Sequence, residues 1–522
     1  MYEPMRDPMH DPIGKTLHLL SAALDGGATS SVRLVEAFLA RIAAHDKQGA
    51  AINAMIALDP RAHAQAEQSD RERASGLVRG PLHGIPIVVK DNIDIAGLAT
   101  TAGCAALRDQ RPARDAEVVR RLRDAGAILL GKTNMSELAC SNGRHGYSSM
   151  GGLTLNPYNR ARNAAGSSSG SAAAVAAGFA PAALGTDSFG SVRAPACVTG
   201  LVGLRPTHGL VPVDGVLPLA LSFDTVGPMA LCVSDVAVLL HAMAGTRADA
   251  ARAGYLNDLR QDAVRGARIG VAVDFPGQDE EVRALMQEAH AQLRDLGATL
   301  VPWRSPAPAD RTASGADRRG DAAGASFDIA YMQTLYPSLL APLAEAEWPA
   351  QLDAYLAAGP GPRDMTRLLQ AAQAWAAAHS DREVNPRTLS GLRRALELAR
   401  TQTAAQRAEA ESALAAYRAA VAQSMREEAL SAVVFPTLSC PASPRYDRED
   451  ASYVSYPGNP YAGLYIASAC GLPEISVPAG MARAGVPVGL SFMGAPYDEA
   501  RLLGLAFAFE QARGGCPAAT LD

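Results

Sequence analysis

The sequence predicts an α/β protein built on a large β-sheet with helices packed on both faces. Short β-branched runs alternate with segments whose apolar residues recur at helical spacing, the pattern of such sheets. The 522 residues, 48% hydrophobic and 19% charged, suffice for a large buried core. Because large open sheets often form one unit, we expect a single domain over residues 1–522.

Each predicted element has a local signal. Ser/Thr caps precede helical spacing at 29–45, and Gly and Pro punctuate a β-branched run that ends on Lys90. The predicted elements are helices at 29–45, 62–75, 116–125 and 498–512, and strands at 85–89 and 127–130. Strand-and-turn text returns late in the chain at AVVFPTLSCP, LPEISVPAG and PVGLSFMG.

The segment 305–430 differs from the rest of the chain. Residues 306–326 are polar, rich in Pro, Gly and Ala and without periodicity, which predicts a loop. Residues 328–430 are rich in Ala, Leu, Glu and Arg at helical spacing. We therefore expect an insertion, first loop and then helices, that lies over the active site.

Composition excludes several classes of partner. The net charge of −5 has no basic stripe for nucleic acid and no polybasic patch for a membrane surface. The N-terminal residues 1–15 lack the apolar region of a secretory signal, and no stretch is long and apolar enough to span a bilayer. Seven widely spaced cysteines without a C-x-x-C pair indicate reduced thiols. We expect a cytoplasmic protein.

Two serine-containing blocks could carry chemistry. AAGSSSGSAAAVAAG, at 164–178, places hydroxyls and backbone N–H groups before an Ala-rich helix, although a flexible linker has similar composition. ALGTDSFGSVRAPACVTGLVGLRPTHG, at 183–209, puts Ser191 in a tight turn whose N–H groups could hold an oxyanion. Taken alone, that turn could be purely structural.

Lys90 is the third candidate. Lysine normally has a pKa of about 10.4, but desolvation at the end of a buried strand favours the neutral amine and can make it a base. A lysine that extends from a strand end to the surface is the alternative.

Together these blocks resemble the amidase-signature family, whose hallmarks are a GGSSGG-type block and a Ser-Ser-Lys triad. The matching text is HGIPIVVKDN, DAGAILLGKTNMSE, GSSSGSAAAVAAG, GTDSFGSVRAPA, GLRPTHG, DTVGPMA, GLPEISVPAG and GVPVGLSFMGAPYDEARLLGLAFAFE. The resemblance covers nearly the whole chain and is weakest over 305–430. It implies a large twisted mixed sheet, with the signature motifs in a catalytic core at 66–210.

The resemblance also implies roles for individual residues. Lys90 matches the base, Ser167 the bridging serine of a cis peptide, and Ser191 the nucleophile that forms an acyl-enzyme. The oxyanion hole is assigned to backbone N–H groups of Ser188, Phe189, Gly190 and Ser191. Supporting or substrate-proximal positions are Ser168, Thr186, Asp187 and Arg193. Ser168 is the alternative to Ser167 as the bridging residue.

No metal or cofactor is needed for this chemistry, and the expected partner is a small amide or carbamate. Monomer and homodimer both stay open. His83 and His208 lie beside the motifs without a G-x-S-x-G elbow, so we interpret them as structural or pocket-lining.

The chain departs from the family pattern at a few positions. Phe189 stands where many members have the first Gly of D-T-G-G-S, and such a side chain would form an apolar wall of the pocket. Ala165 precedes Gly166 in place of Gly, and Arg205 replaces the commoner Lys of G-L-K-P-T; we expect both to be remote from the chemistry.

The leading functional prediction is an amidase acting on a carboxamide, peptide amide or anilide. Hydrolysis of carbamates or esters uses the same acyl-transfer chemistry. The A subunit of glutamyl-tRNA amidotransferase is a second class, but that protein typically has Gln where Ala194 stands and an intact D-T-G-G-S. A catalytically dead binding protein is the third class, and the presence of all three triad positions speaks against it.

Overall fold

The computed structural model describes residues 11–244, 254–306 and 333–521. The first ten residues of the N-terminal segment, and all but the first residue of the predicted loop at 306–326, lie outside these ranges.

Thirteen strands are present in the described residues. They are β1 Met55–Leu58, β2 Pro86–Lys90, β3 Ile128–Thr133, β4 Tyr147–Ser148, β5 Gly152–Leu153, β6 Ala182–Asp187, β7 Val202–Arg205, β8 Thr225–Ala230, β9 Arg268–Ala272, β10 Thr299–Trp303, β11 Ala432–Pro436, β12 Glu474–Met481 and β13 Pro487–Met493. Eleven of them form one sheet in the order β1-β3-β2-β6-β8-β7-β12-β13-β11-β9-β10, while β4 and β5 pair separately.

The sheet is mixed. Strand β2 pairs in parallel with both β3 and β6, whereas β6 and β8 are antiparallel, as are β7 and β12. Every residue of β2, β6, β8 and β13 is buried, so both faces of the sheet are covered. The predicted α/β fold with helices on both faces is confirmed.

The described α-helices are α1 Leu17–Asp25, α2 Ser31–His45, α3 Ala62–Ala74, α4 Glu117–Asp124, α5 Ser169–Ala176, α6 Arg193–Val198, α7 Val233–Met243, α8 Gly254–Asn257, α9 Glu280–Asp295, α10 Ala341–Leu356, α11 Met365–Ala378, α12 Pro386–Thr401, α13 Ala404–Glu427, α14 Leu464–Cys470 and α15 Glu499–Arg513. Short 3-10 turns occur at Ala105–Leu107, Glu137–Ala139 and Ser380–Arg382, and a π-helical turn at Tyr336–Leu340. The helices predicted at 29–45, 62–75, 116–125 and 498–512 are confirmed within two residues. Ser30 caps the first of them by accepting from the Arg33 amide.

Helices α10 to α13, residues 341–427, are here called the helical cover. Helices α10, α11 and α12 share a hydrophobic cluster separate from the main core, in which Leu352, Leu368 and Leu392 pack with Met135 and Leu138. Helices α10 to α12 therefore have an apolar cluster of their own, whereas Leu414, Tyr417 and Val421 of α13 pack into the main core.

Candidate active site

Lys90 is fully buried at the end of β2. Its Nζ donates hydrogen bonds to Ser167 Oγ at 2.8 Å, to Thr186 Oγ1 at 2.7 Å and to the Thr186 carbonyl at 3.3 Å. Burial lowers the pKa of Lys90 to about 7, although the nearby carboxylates of Asp187 and Asp224 oppose this shift. The amine can therefore exist in its neutral form near neutral pH, and the alternative of a surface lysine is wrong.

The Gly/Ser block forms a buried loop that leads into α5, so the linker alternative is wrong as well. The Gly166–Ser167 peptide bond is cis. The next residue, Ser168, donates its amide to the Ser191 carbonyl at 3.2 Å and its hydroxyl to the Thr186 carbonyl at 3.2 Å. Ser167, and not Ser168, is thus the serine that Lys90 contacts.

Ser191 follows β6 in a tight turn organised around the Asp187 carboxylate. That carboxylate accepts from the amides of Gly190 at 2.9 Å and Val192 at 3.0 Å. Gly190 has a φ of +103°, and a Cβ there would lie 2.5 Å from a Leu464 methyl carbon, so only glycine fits.

The amide of Gly190 is therefore engaged with Asp187, which corrects its assignment as a free oxyanion donor. Because Asp187 needs two neighbouring amides to hold the turn, the loop directs this N–H inward. The amides of Ser188, Phe189 and Ser191, the other three predicted donors, have no hydrogen-bond partner within the described ranges. The assignment of these three N–H groups to an oxyanion hole stays a prediction.

Buried charged side chains stabilise the turn that carries Ser191. Arg193 donates to Asp187 at 3.0 and 2.8 Å and also pairs with Glu474, which lies on β12. Burial alone would raise the pKa of Asp187, but Arg193 and Arg205 hold it far below its ordinary value. Asp187 and Arg193 therefore act on the position of the turn through a satisfied buried network.

Arg205 was expected to be remote from the chemistry, and its contacts differ from that expectation. Its guanidinium donates to the Asp187 carbonyl at 2.5 Å, to Asp187 Oδ1 at 3.1 Å and to the Ser188 carbonyl at 3.3 Å. Arg205 therefore directly contacts the turn that carries Ser191. The planar fork of arginine reaches several acceptors at once, which a lysine ammonium at the same position would do less completely.

Asp224 contacts this turn, although the sequence analysis did not single it out. It accepts from the Ser188 hydroxyl and from the amides of Leu219 at 2.9 Å and Ala220 at 3.0 Å. Burial raises the pKa of Asp224 to about 6, against the opposing effect of Ser188. Its position at the start of the DTVGPMA motif was the available signal.

Asn92 was also missed, although it stands two residues after Lys90. Its side-chain amide donates to Thr186 Oγ1 at 3.1 Å, the same hydroxyl that Lys90 contacts. Thr186, predicted as a supporting residue, thus connects the two.

The two histidines beside the motifs take part in other contacts. His208 Nε2 lies 2.8 Å from the Leu221 carbonyl. His83 is buried near Glu72, and its Nδ1 accepts from the Arg79 amide at 3.2 Å. Neither lines the cavity at Ser191.

A cavity of about 570 Å³ opens at Ser191. Its aromatic wall residues are Phe189, Tyr336, Tyr453, Tyr456, Tyr461 and Tyr465, with His145. Phe189 packs against Phe223 at 5.5 Å and edge-on against Tyr336 at 5.2 Å between ring centroids. Phe189 is thus an apolar wall of this cavity.

Comparison with known proteins decides the family. The Amidase family model matches residues 33–503. The chain belongs to the amidase family. It is 36% identical to the A subunit of the glutamyl-tRNA(Gln) amidotransferase of Chloroflexus aurantiacus (strain ATCC 29366) over 95% of this chain and 96% of that protein.

Solved amidase structures share the fold over nearly the full length. The native peptide amidase of Stenotrophomonas maltophilia is 36% identical, with a TM-score of 0.81 over 98% of this chain and 99% of that one. An amidase family protein from Bacillus anthracis is 29% identical, with a TM-score of 0.78 over 97% and 92%. The predicted family and the prediction of an enzyme acting on C–N bonds are confirmed.

Two other kinds of feature are absent from the described part of this amidase. Across those ranges, no helix has the length and hydropathy to cross a bilayer. Over the same ranges, no group of three or more His, Cys, Asp or Glu side chains is arranged to hold a metal ion.

Proposed function

We propose that this amidase hydrolyses a carboxamide-type C–N bond through an acyl-enzyme on Ser191, with Lys90 as base and Ser167 as the relay between them. The supporting observation is the buried Lys90–Ser167 hydrogen bond of 2.8 Å beside the Ser191 turn. A lysine deprived of water and bonded to a serine has few roles other than proton transfer.

The steps follow from these contacts. Neutral Lys90 accepts the Ser167 proton, Ser167 accepts the Ser191 proton, and the Ser191 oxygen attacks the amide carbon. The developing oxyanion accepts from the amides of Phe189 and Ser191, a type of contact worth about 3 kcal/mol of barrier per donor. The proton returns through Ser167 to the departing amine. Water then attacks the acyl-enzyme by the reverse relay and releases the acid.

Carbamates and esters are alternative substrates, because the same relay and oxyanion donors serve any acyl group. A matched panel of amide, anilide, carbamate and ester with one acyl group ranks these options. We expect the amide and anilide to have the highest kcat/KM relative to their spontaneous hydrolysis.

Amidotransferase activity is the second candidate, since relatives named as the A subunit of that enzyme match nearly the whole chain. Against it stand Phe189 and Ala194, which replace the Gly and Gln of the resembling protein. Copurification with partner subunits and glutamine-dependent transamidation would favour this candidate.

The mechanism is tested by labelling with a serine-directed fluorophosphonate and mapping the modified peptide. We expect labelling at Ser191, loss of labelling in Lys90→Ala, and no amide hydrolysis by Ser191→Ala. Ser455→Ala is the control, because Ser455 lines the same cavity at an exposed position. Labelling at another serine, or activity of Ser191→Ala, would exclude the mechanism.

Ser167 and Ser168 are separated by the same assay. Ser167→Ala should reduce kcat about 10²- to 10⁴-fold and keep a residual rate, because Ser191 and its oxyanion donors remain. Ser168→Ala removes hydroxyl bonds to the Thr186 backbone and none to Lys90, so it should cost much less. The reverse order would assign the relay to Ser168.

A further inference from the structure

The cavity at Ser191 has an uncharged wall over the residues that the structure describes. None of those lining residues is Asp, Glu, Lys or Arg. Burial lowers the pKa of His145 to about 4, and burial raises the pKa of the Cys140 thiol to about 12. These groups are therefore neutral at pH 7, and the polar wall atoms belong to hydroxyls and amides.

Charged side chains near the cavity stand behind the tyrosines and already have partners. Asp279 accepts from the Tyr456 hydroxyl at 3.0 Å and caps α9. Arg162 lies 5.1 Å from the Tyr453 ring centroid and pairs with Asp450 at 2.9 Å. The Glu345–Arg394 ion pair, at 2.7 Å, lines the space that adjoins the cavity. A ligand carboxylate in the cavity would thus face aromatic rings and cations that already have partners.

The rings of the cavity wall form two packed groups. Tyr336 lies 5.2 Å from Phe189 and 5.6 Å from Tyr465, and His145 stacks on Tyr461 at 5.4 Å with an interplanar angle of 3°. Aromatic side chains in this arrangement favour another ring packed edge-on or offset against them. The volume of about 570 Å³ is that of a typical small-molecule site.

We propose that this cavity selects amides whose acyl group carries an aromatic ring and no carboxylate, and rejects amides that bring a carboxylate, free glutamine included. This selectivity rests on the proposed function of the site. Its physical basis is that an ion moved from water into a neutral pocket loses hydration and gains no opposite charge.

The test uses three substrates: 3-phenylpropanamide as the parent, its 4-nitro derivative and its 4-carboxylate derivative. The nitro group matches the carboxylate in size and shape but carries no net charge. We expect the nitro compound to stay within about fivefold of the parent in kcat/KM and the carboxylate to be about 100-fold lower. Glutamine should be hydrolysed no faster than the carboxylate compound.

A variant separates charge from shape. Ser455 lines the cavity at an exposed position, so Ser455→Lys introduces a cation without disturbing the core. This change should raise kcat/KM for the carboxylate compound about tenfold relative to that for the nitro compound. Val454→Lys is the matched control, because Val454 is 59% exposed and does not line the cavity.

Each outcome has one meaning. Hydrolysis of the carboxylate compound or of glutamine within tenfold of the nitro compound overturns the proposal while leaving the hydrolase function intact. Discrimination that Ser455→Lys does not relieve shows selection by shape, which also overturns it. A neutral aliphatic amide preferred tenfold over 3-phenylpropanamide overturns the aromatic part. Failure to hydrolyse any amide in the panel instead removes the proposed function itself.

Discussion

Two regions of the molecule are built in opposite ways. The loops that carry the proposed triad, residues 90–92, 166–168 and 186–193, are mostly buried, and their polar groups are held by many internal hydrogen bonds. The helical cover, residues 341–427, has its own apolar cluster and carries its ion pairs largely on the surface. Chemistry that needs fixed groups is thus placed in the sheet region, where burial and hydrogen bonding leave little freedom.

Several hydrogen bonds connect the cover to segments beside these loops, among them one from the Tyr355 hydroxyl to Asp94 at 2.6 Å. From α10, Glu347 accepts from the Ser222 amide at 3.1 Å, and the Trp348 indole donates to the Pro218 carbonyl at 3.1 Å. Through the segment 218–222 these contacts reach Asp224 and hence Ser188. The difference teaches that the groups proposed for chemistry are fixed by buried hydrogen bonds, whereas the cover is held by its own apolar cluster and by the packing of α13 on the main core. Variants in the two regions, taken from the largest expected effect to the smallest, test this contrast.

Lys90→Met should lower kcat/KM for an amide about 10³- to 10⁵-fold, because the base is removed while an apolar side chain of similar length fills its place. Lys132→Met is the matched control, since Lys132 is equally buried but pairs with Asp91 at 3.2 Å. That control should lose about 3 to 5 kcal/mol of stability, through the unpaired Asp91, and retain activity in its folded fraction. Steady-state kinetics and thermal unfolding measure the two effects. Equal activity losses would mean that Lys90 is only structural.

Asp224→Asn should lower kcat about 10- to 100-fold with KM changed less than about threefold. The reason is that the Ser188 hydroxyl loses a charged acceptor, so the turn that carries Ser191 is held less firmly. The measurement is a full Michaelis–Menten series. A rise in KM with unchanged kcat would instead place Asp224 in substrate binding.

The pH dependence follows from Lys90. Its folded pKa is lowered to about 7, and only the neutral amine can accept a proton. The kcat/KM should therefore rise with pH through a midpoint near 7 and fall about tenfold for each pH unit below it. A pH–rate profile from about 5.5 to 9 measures this midpoint. A profile that is flat across the range would contradict a lysine base.

Glu411→Gln in α13 should change stability by less than about 0.5 kcal/mol and leave kcat/KM unchanged. The Arg407–Glu411 pair is more than half exposed on both sides, so water screens it. Chemical denaturation and the amide assay provide the check. A large loss of activity would show that the cover is coupled to the site more tightly than its contacts indicate.

Local patterns account for much of what the sequence predicted correctly about the fold. The caps and spacing of α2 and the β-branched run of β2 depend on neighbours a few residues apart, so they can be recognised without the fold. The motifs likewise singled out Lys90, Ser167 and Ser191 as candidates. The contacts of Arg205 and Asp224 with Ser188 could not be predicted in this way, because Ser188 lies 17 and 36 residues away from them along the chain.

The sequence by itself determined the alternation of strands and helices, the family, and the candidates for base, relay and nucleophile, because these depend on residue type and local order. Only the tertiary structure decided that Lys90 is dehydrated and bonded to Ser167, since that requires β2 and β6 to lie side by side in parallel. It also decided that the Gly190 amide donates to Asp187. The pairing of β12 with β7 likewise brings Glu474 to Arg193. The physical reason is that burial and hydrogen bonding between distant segments exist only once the sheet has formed.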